Sequence, residues 1–229
     1  MAEEAGQRGQ VNRLDRLFTP LLAGAHWRDR LVACLGALIG IGLTAAISSW
    51  LIPEPGNALL LGAPLGASAV LLFAIPSSPL AQPFSVIGGS VVSTLSGVFA
   101  VQMLGHTALA AGLAVSLAIF LMSVGRCLHA PGGGCALVPV VGGPAIAAKG
   151  YAFAFVPFGL NAILLVAAGY VFHRFSGHSY PHRPVRAAPG VSMADIDAAL
   201  DESGEAFDVS REDLQALLAA AERHAKARG

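Results

Sequence analysis

The sequence predicts an all-α membrane protein with about six transmembrane segments and a short helical tail. Of its 229 residues, 55% are hydrophobic and 12% are charged, and the mean hydropathy is +0.65. An ordinary soluble domain is far less apolar. Between residues 31 and 173, the Asp, Glu, Lys and Arg residues are limited to Glu54, Arg126 and Lys149. The net charge is zero and no cluster of basic residues occurs, so we expect no binding of nucleic acid.

The apolar region divides into five clear spans and one unusual segment. Residues 31–52 form an uncharged run that, as a helix rising about 1.5 Å per residue, crosses a hydrocarbon core of about 30 Å. The other clear spans are predicted at residues 58–75, 85–104, 107–124 and 151–172. Residues 129–148 are long enough to cross as well, but they are rich in glycine and proline. The sequence leaves open whether this segment crosses the bilayer or re-enters it.

Basic residues flank the apolar region at both ends and predict its orientation. The arginines nearest the first span on its N-terminal side are Arg13, Arg16, Arg28 and Arg30. Histidines and arginines also follow the last span, between residues 173 and 186. The positive-inside rule then places both termini in the cytoplasm, which requires an even number of crossings and therefore six. Lys149 falls on the opposite side, against the rule. We expect a multi-pass protein of a bacterial-type inner (plasma) membrane.

This topology divides the chain into a cytoplasmic N-terminal segment, a transmembrane domain, a juxtamembrane linker and a cytoplasmic helical tail, at residues 1–30, 31–173, 174–190 and 191–229. In the tail, two segments begin with serine followed by acidic residues, which is favourable N-cap chemistry. Leu214, Leu217 and Leu218 recur at helical spacing. We predict two short helices that need each other, the membrane domain or a partner to stay folded.

A short motif occurs twice in the apolar region. Residues 62–71 have the sequence GAPLGASAVL, and residues 129–138 have the sequence HAPGGGCALV. Ala, Pro, Gly and Ala coincide at four of the ten aligned positions, and Ser68 aligns with Cys135. An accidental match is the alternative, because the sequence is low in diversity. A true repeat would divide the membrane domain into two three-span halves, and the odd number of spans would make the second half inverted.

The two motif copies suit the broken helices of inverted-repeat transporters. Such proteins bind substrate near the bilayer midplane, where freed amides and positive helix N-termini face the ligand. Irregular backbone survives at that depth only where protein covers it or water reaches it. Pro64 and Pro131 mark the predicted helix starts. Nearby glycines would let the backbone approach a small anion: Gly66, Gly132, Gly133 and Gly134.

Four polar side chains are further candidates for this substrate site. His129 is ionisable at membrane depth, where it could carry a coupled proton or bind the anion when charged. The alternative is a neutral ring that donates one hydrogen bond to a freed carbonyl. Ser68 is a neutral donor at the repeat position. Arg126 could attract anions to the cytoplasmic mouth, although a span-end anchor is favoured. Asn161 could orient substrate, although a bond between helices is favoured.

No sequence pattern indicates catalysis or metal binding. The sequence has no HExxH or GxSxG motif and no pair of aspartates in the apolar region, and its cysteines match no CxxC pattern. We therefore expect no enzyme, no catalytic residue, no metal ligand and no cofactor.

Small residues recur at every fourth position in two of the predicted spans. They are Gly36, Gly40, Thr44 and Ser48 in the first, and Gly89, Ser93 and Gly97 in the third. Such stripes let helix backbones approach closely. They suit contacts within one chain and are equally compatible with a homo-oligomer.

Several motifs occur in a fixed order along the chain. They are GAPLGASAVLLFAIPSSPLAQP, SVIGG, HAPGGGCAL, GLNAILL and GHSYPHRP. In content and order they resemble the HPP family of integral membrane proteins, over residues 14–184. Members in chloroplasts and cyanobacteria have been linked to nitrite transport. The resemblance therefore implies a transporter of a small inorganic anion, with nitrite as the first candidate.

The chain departs from the family pattern at three places. Residues 129–131 are His-Ala-Pro where the family has His-Pro-Pro, residues 84–85 are Phe-Ser where it has Arg-Asn, and Ser90 replaces a histidine. Losing a cation and a titratable group would fit a different anion, a neutral substrate or a loss of transport. The tail resembles the linker that precedes a pair of CBS domains in some bacterial relatives, and we expect no such pair here. This tail motivates an alternative function, a membrane sensor or assembly protein that signals through it.

Overall fold

The computed structural model describes residues 27–52, 62–143, 146, 148–183, 192–203 and 208–228. No β-strand occurs among these residues, which confirms the all-α prediction. The helices are α1 (Trp27–Leu51), α2 (Gly62–Ala74), α3 (Pro83–Leu104), α4 (Ala108–Val124), α5 (Gly132–Val141), α6 (Leu160–Ser176), α7 (Met193–Ser203) and α8 (Arg211–Lys226). A 3₁₀ turn (Pro79–Ala81) precedes α3, and a π-helical turn (Ala154–Gly159) precedes α6.

Some sequence predictions lie outside the described residues. They concern the N-terminal segment up to residue 26, Glu54, the start of the span predicted at residues 58–75, and part of the linker, at residues 184–190.

Within the described ranges, three helices are long and apolar enough to cross a membrane: Trp27–Leu51, Pro83–Leu104 and Ala154–Ser176, the last of which joins the π-helical turn to α6. The shorter helices α2, α4 and α5 are apolar as well. Together they correspond to the six apolar segments that the sequence predicts. Large apolar side chains such as Leu38 and Phe120 are exposed on these helices. The chain is therefore a multi-pass membrane protein whose outer faces suit lipid.

Two of the shorter helices lie in the segments at residues 58–75 and 129–148, where the sequence predicts broken helices. α2 has 13 residues and α5 has 10. At about 1.5 Å per residue they extend about 20 Å and about 15 Å, less than a hydrocarbon core of about 30 Å. α2 begins at Gly62, whose φ of +62° lies in the left-handed region and interrupts regular helix. α5 begins after Pro131 and ends before Gly142.

α3 packs against α4 and α5 through its stripe of small residues. A Cβ added to Gly89 would lie 2.5 Å from the Cβ of His129. A Cβ added to Gly97 would collide with the carbonyl oxygen of Ala136 on α5. Ser93, between them on the stripe, is buried. The predicted stripe is therefore a helix contact face.

The stripe on α1 packs against α2 and α6. A Cβ added to Gly36 would lie 2.5 Å from the ring of Phe73, and Gly40 faces the same ring. Phe73 contacts Phe172 edge to face, with ring centroids 5.5 Å apart. Thr44 is buried and donates its hydroxyl to the carbonyl oxygen of Gly40 at 2.7 Å. This stripe too forms contacts within the chain, where close backbone approach supplies much of the packing energy.

The tail forms the two helices that its sequence predicts. At the start of α7, the backbone N–H of Ser192 donates to Asp195 at 2.9 Å, and the N–H of Asp195 donates to Ser192 Oγ at 3.2 Å. At the start of α8, the N–H of Asp213 donates to Ser210 Oγ at 3.1 Å. Both helices therefore begin with the serine caps expected from the sequence, and they pack against each other.

Candidate functional site

His129 lies in the connection between α4 and α5, and its side chain is completely buried. Its Nδ1 lies 2.9 Å from the carbonyl oxygen of Leu80, in the connection between α2 and α3. Its Nε2 lies 2.8 Å from Oγ of Ser68 on α2. We call residues 76–83 the proline segment, because Pro occupies positions 76, 79 and 83. Three separate parts of the chain thus meet at one imidazole ring.

The partners of His129 determine that Nδ1 carries a hydrogen, but they are compatible with Nε2 either carrying one or not. A carbonyl oxygen only accepts, so Nδ1 carries a hydrogen and donates it to Leu80. The single hydroxyl hydrogen of Ser68 has two acceptors in reach: Nε2 of His129 and the carbonyl oxygen of Pro64, 3.0 Å away. With a neutral ring, Ser68 donates to Nε2. With a charged ring, Nε2 donates to Ser68, which donates to Pro64, so the same geometry accommodates both states.

A small cavity borders Ser68. Its volume is about 10 Å³, which is room for about one water molecule. Two hydroxyls, a thiol, an amide and two apolar side chains line it: Ser68, Ser90, Cys135, Asn161, Leu65 and Phe158. Asn161 is buried on α6. The cavity therefore brings together polar groups from α2, α3, α5 and α6.

A larger apolar groove lies between α2 and α5. Its volume is about 430 Å³, and both motif prolines, Pro64 and Pro131, line it. Gly134 packs against Pro64, because a Cβ added to Gly134 would lie 2.9 Å from Cγ of that proline. The two copies of the sequence motif therefore meet in space at the starts of the two short helices.

Most of the predicted site residues lie around these two cavities, both of which α2 and α5 line. They are Pro64, Ser68, His129, Pro131, Gly134 and Asn161. The structure thus brings together residues from both motif copies and from the last span.

The other predicted site residues lie elsewhere. A Cβ added to Gly132 would lie 2.6 Å from Ser93 Oγ, so α3 occupies the space beside this glycine and leaves none for a ligand. A Cβ added to Gly133 would lie 3.9 Å from Val115, and one added to the exposed Gly66 would meet no described neighbour within 4 Å. Arg126 is exposed just beyond the end of α4.

Sequence reasoning missed the carbonyl oxygen of Leu80 and treated Ser90 and Cys135 only as motif positions. A signal for the carbonyl was present in the sequence. Each proline lacks an N–H, so the proline segment leaves carbonyl oxygens without helical partners, and these need other donors. The carbonyl of Pro79 accepts from Ser85 Oγ at 3.0 Å, and that of Leu80 accepts from the buried histidine.

Fixed charge is scarce around the site. Between residues 62 and 173 the charged residues are Arg126 and Lys149, and neither lines the small cavity or the groove. Within the described ranges, no three His, Cys, Asp or Glu side chains lie close enough to hold a metal ion. His129 is therefore the group that can supply a positive charge at this site.

The proline segment also contacts the C-terminal part of the chain. Ser78 Oγ donates to Asp208 at 2.7 Å, and the side-chain oxygen of Gln82 accepts from the backbone N–H of His182 at 2.9 Å. Nε2 of His182 lies 2.7 Å from a carboxylate oxygen of Asp213 in the first turn of α8. One short segment thus contacts both the buried histidine and the tail.

Two short helices with prolines near their starts lie on either side of a buried histidine. The chain is therefore a multi-pass helical membrane protein with a polar site enclosed among its helices. The chain belongs to the HPP family, because the family model described as "HPP, transmembrane region" matches residues 23–181. This match confirms the resemblance that the sequence motifs indicate.

Two transmembrane proteins of Dictyostelium discoideum are similar to the chain. One is 38% identical over 166 residues, which cover 70% of this chain and 50% of the relative. The other is 34% identical over 146 residues, which cover 62% of this chain and 46% of the relative. The chain therefore spans about half the length of the curated relatives it matches. No solved structure matches the chain.

Proposed function

We propose that the chain is a transporter of a small inorganic anion, nitrite first, in a bacterial-type inner membrane with both termini in the cytoplasm. One observation carries this proposal: a completely buried histidine, His129, lies where two short helices of the membrane domain begin. An ionisable group at membrane depth is costly to keep and is by default functional. The family resemblance, through its plastid and cyanobacterial members, favours nitrite.

The arrangement of α2 and α5 supports a path for substrate. Neither helix is long enough to cross the hydrocarbon core alone, and the irregular backbone before α5 must be covered by protein or reached by water. Inverted-repeat transporters place their substrates between discontinuous helices of this kind. Pro64 and Gly134 bring the two helix starts into contact, so a small change in their separation would open or close the region between them.

Uptake into proteoliposomes tests this function. The purified chain is reconstituted and offered nitrite, nitrate, formate and bicarbonate in turn, beside empty liposomes. We expect saturable uptake of at least one anion and its loss in His129→Ala. His106→Ala is the matched control, because His106 also pairs Nδ1 with a carbonyl oxygen, that of Val140 at 2.7 Å, but is exposed and away from the site. Uptake no faster than in empty liposomes for all four anions would contradict the proposal.

A second candidate function is a membrane sensor or assembly protein that signals through the tail. The contacts of Asp208 with Ser78 and of Asp213 with His182 favour it, because they tie the tail to the membrane domain. Deletion of residues 190–229 separates the two functions. A sensor loses its cellular phenotype on deletion, while a transporter keeps its uptake. Unchanged uptake together with an unchanged phenotype would remove support for the sensor.

A further inference from the structure

We infer that the anion binds together with a proton, that His129 holds this proton, and that Ser68 relays it. The inference rests on the proposed transport function and specifies its coupling. A substrate of this site is then the conjugate base of a weak acid with one negative charge, which crosses as an electroneutral pair with its proton.

The first step concerns which ring nitrogen can change its protonation. Nδ1 of His129 donates to the carbonyl oxygen of Leu80 at 2.9 Å, and it keeps its hydrogen in both states of the ring. Nε2, 2.8 Å from Ser68 Oγ, is the nitrogen that gains or loses a proton. The carbonyl also fixes the orientation of the ring, so Nε2 faces the same hydroxyl before and after it is protonated.

The second step concerns charge. The parts of the chain that surround the ring present the Ser68 hydroxyl from α2, the Leu80 carbonyl from the proline segment and the α-carbon of Gly89 from α3. The titratable and charged groups on the flanking segments are the thiols of Cys127 and Cys135 and the exposed guanidinium of Arg126. The carboxylate of Asp208 reaches the proline segment at Ser78. No described contact joins His129 to a carboxylate, an amine or a guanidinium.

A charged imidazole in this enclosure therefore has no permanent counter-ion. Burying a lone charge is strongly unfavourable, for the cation and for a substrate anion alike. Bound together, each neutralises the other. The empty site thus holds a neutral ring and the loaded site holds a charged ring with an anion, so binding of the proton and of the anion are mutually dependent.

The third step is the proton path. The small cavity beside Ser68, with Ser90 and Asn161 in its lining, has room for about one water molecule. A proton arriving there, from water or from the undissociated acid, bonds to Ser68 Oγ while the original hydroxyl hydrogen moves to Nε2. The donor, a hydronium ion or the undissociated acid, loses an O–H bond and the original O–H bond of Ser68 also breaks, while a new O–H bond forms on Ser68 and an N–H bond forms on Nε2. Ser68 ends neutral and His129 ends with one positive charge, and release follows the reverse order.

The driving force for uptake distinguishes this coupling from simple anion transport. Proteoliposomes that contain the full chain are exposed either to an acid-outside pH gradient with the potential clamped at zero by valinomycin and equal potassium, or to a potential without a pH gradient. Labelled nitrite is the probe, a dye inside the vesicles reports pH, and empty liposomes correct for permeation of the undissociated acid. We expect the pH gradient to accelerate uptake, the potential to have no effect, and one proton to enter with each anion.

Two variants test the named residues against matched controls. His129→Gln keeps an amide donor near Leu80 but cannot titrate, and we expect it to lose the acceleration by the pH gradient. Ser68→Ala should slow coupled uptake by about tenfold, since it removes a hydrogen bond to a charged group. His106→Gln and Ser96→Ala should change neither the acceleration by the pH gradient nor the rate of coupled uptake. Ser96 is a close match for Ser68, because it is buried and donates to the carbonyl four residues earlier, that of Val92, at 2.9 Å.

The outcomes separate this inference from the proposed function. If the wild type moves no anion, transport and coupling both fail. If uptake follows the potential rather than the pH gradient, or if His129→Gln retains its response to the gradient, the coupling is overturned while transport stands. Elution from a sizing column in detergent checks the folding of each variant. If His129→Gln does not fold, the driving-force measurement on the wild type and on Ser68→Ala decides.

Discussion

Nδ1 of His129 lies 2.9 Å from the carbonyl oxygen of Leu80, so a buried side chain of one motif copy is held by the backbone of the segment that follows the other copy. Ser78 and Gln82, in the same proline segment, hold the C-terminal part of the chain. A movement of this short segment would therefore alter the orientation of the imidazole and the docking of the tail together.

Gly97 is expected to be intolerant of any side chain. In Gly97→Ala the new Cβ would collide with the backbone of α5 at Ala136, which cannot move without separating α3 from α5. We expect a loss of stability of about 1–3 kcal/mol, as for overpacked cores, seen as a lower midpoint in thermal unfolding in detergent. Gly112→Ala on α4 is the control, because a Cβ there meets nothing within 4 Å. Equal midpoints for the two variants would show that α3 and α5 do not approach this closely.

His182 is expected to tether the tail. His182→Ala removes the contact with Asp213 at 2.7 Å, and a single hydrogen bond contributes about 0.5–1.5 kcal/mol. Amides of α8 should then exchange with deuterium about two- to tenfold faster, measured by mass spectrometry on the reconstituted protein. His224→Ala, at an exposed position of α8, serves as the control. Identical exchange in both variants would mean that the tail is held by other contacts.

Tyr180 is expected to stabilise the junction between the proline segment and the end of the membrane domain. Its hydroxyl donates to the carbonyl oxygen of Ala81 at 3.0 Å, and burial raises the pKa of Tyr180 by disfavouring the charged phenolate. Tyr180→Phe leaves that carbonyl without its donor and should cost about 1 kcal/mol in unfolding free energy. Tyr170→Phe is the control, because its hydroxyl only accepts a bond from Arg174 at an exposed position.

The raised pKa of Tyr180 also predicts the direction in which the stability of the protein changes with pH. The neutral phenol is favoured in the folded state, so its contribution to stability is constant at low pH and is lost as the pH rises above the ordinary tyrosine value of about 10. Unfolding measured between neutral and alkaline pH should show a steeper loss in the wild type than in Tyr180→Phe. Parallel profiles would contradict the burial of this hydroxyl.

Asp195 is expected to titrate below its usual range because of Ser192. Hydrogen bonds from the hydroxyl and the backbone N–H of Ser192 lower the pKa of Asp195. A lowered folded-state pKa stabilises the start of α7 above the ordinary pKa, and this contribution disappears as the pH falls through the folded-state value. In Ser192→Ala the carboxyl should titrate at a higher pH, followed by carbon NMR. Ser210→Ala, the equivalent change at α8, should leave Asp195 unchanged.

Sequence patterns predicted the apolar segments of the membrane domain, the two stripes of small residues and the serine caps of the tail. Each of these features is formed by residues that lie close together along the chain. Pro64 and Pro131 also predicted where the two short helices start, because a proline has no N–H to donate and is favoured in the first turn of a helix.

The sequence by itself determined that this chain is a helical membrane protein, that two of its motifs are alike, and that His129 is an ionisable residue in an apolar region. Only the tertiary structure decided what each motif residue contacts. In the fold, neighbouring side chains occupy the space beside Gly132 and Gly134, and Gly66 lies at the surface. His129 contacts a backbone carbonyl of the proline segment. The physical reason is that backbone carbonyls carry no residue signature, and that a helix face is assigned to protein or lipid only when its neighbours pack against it.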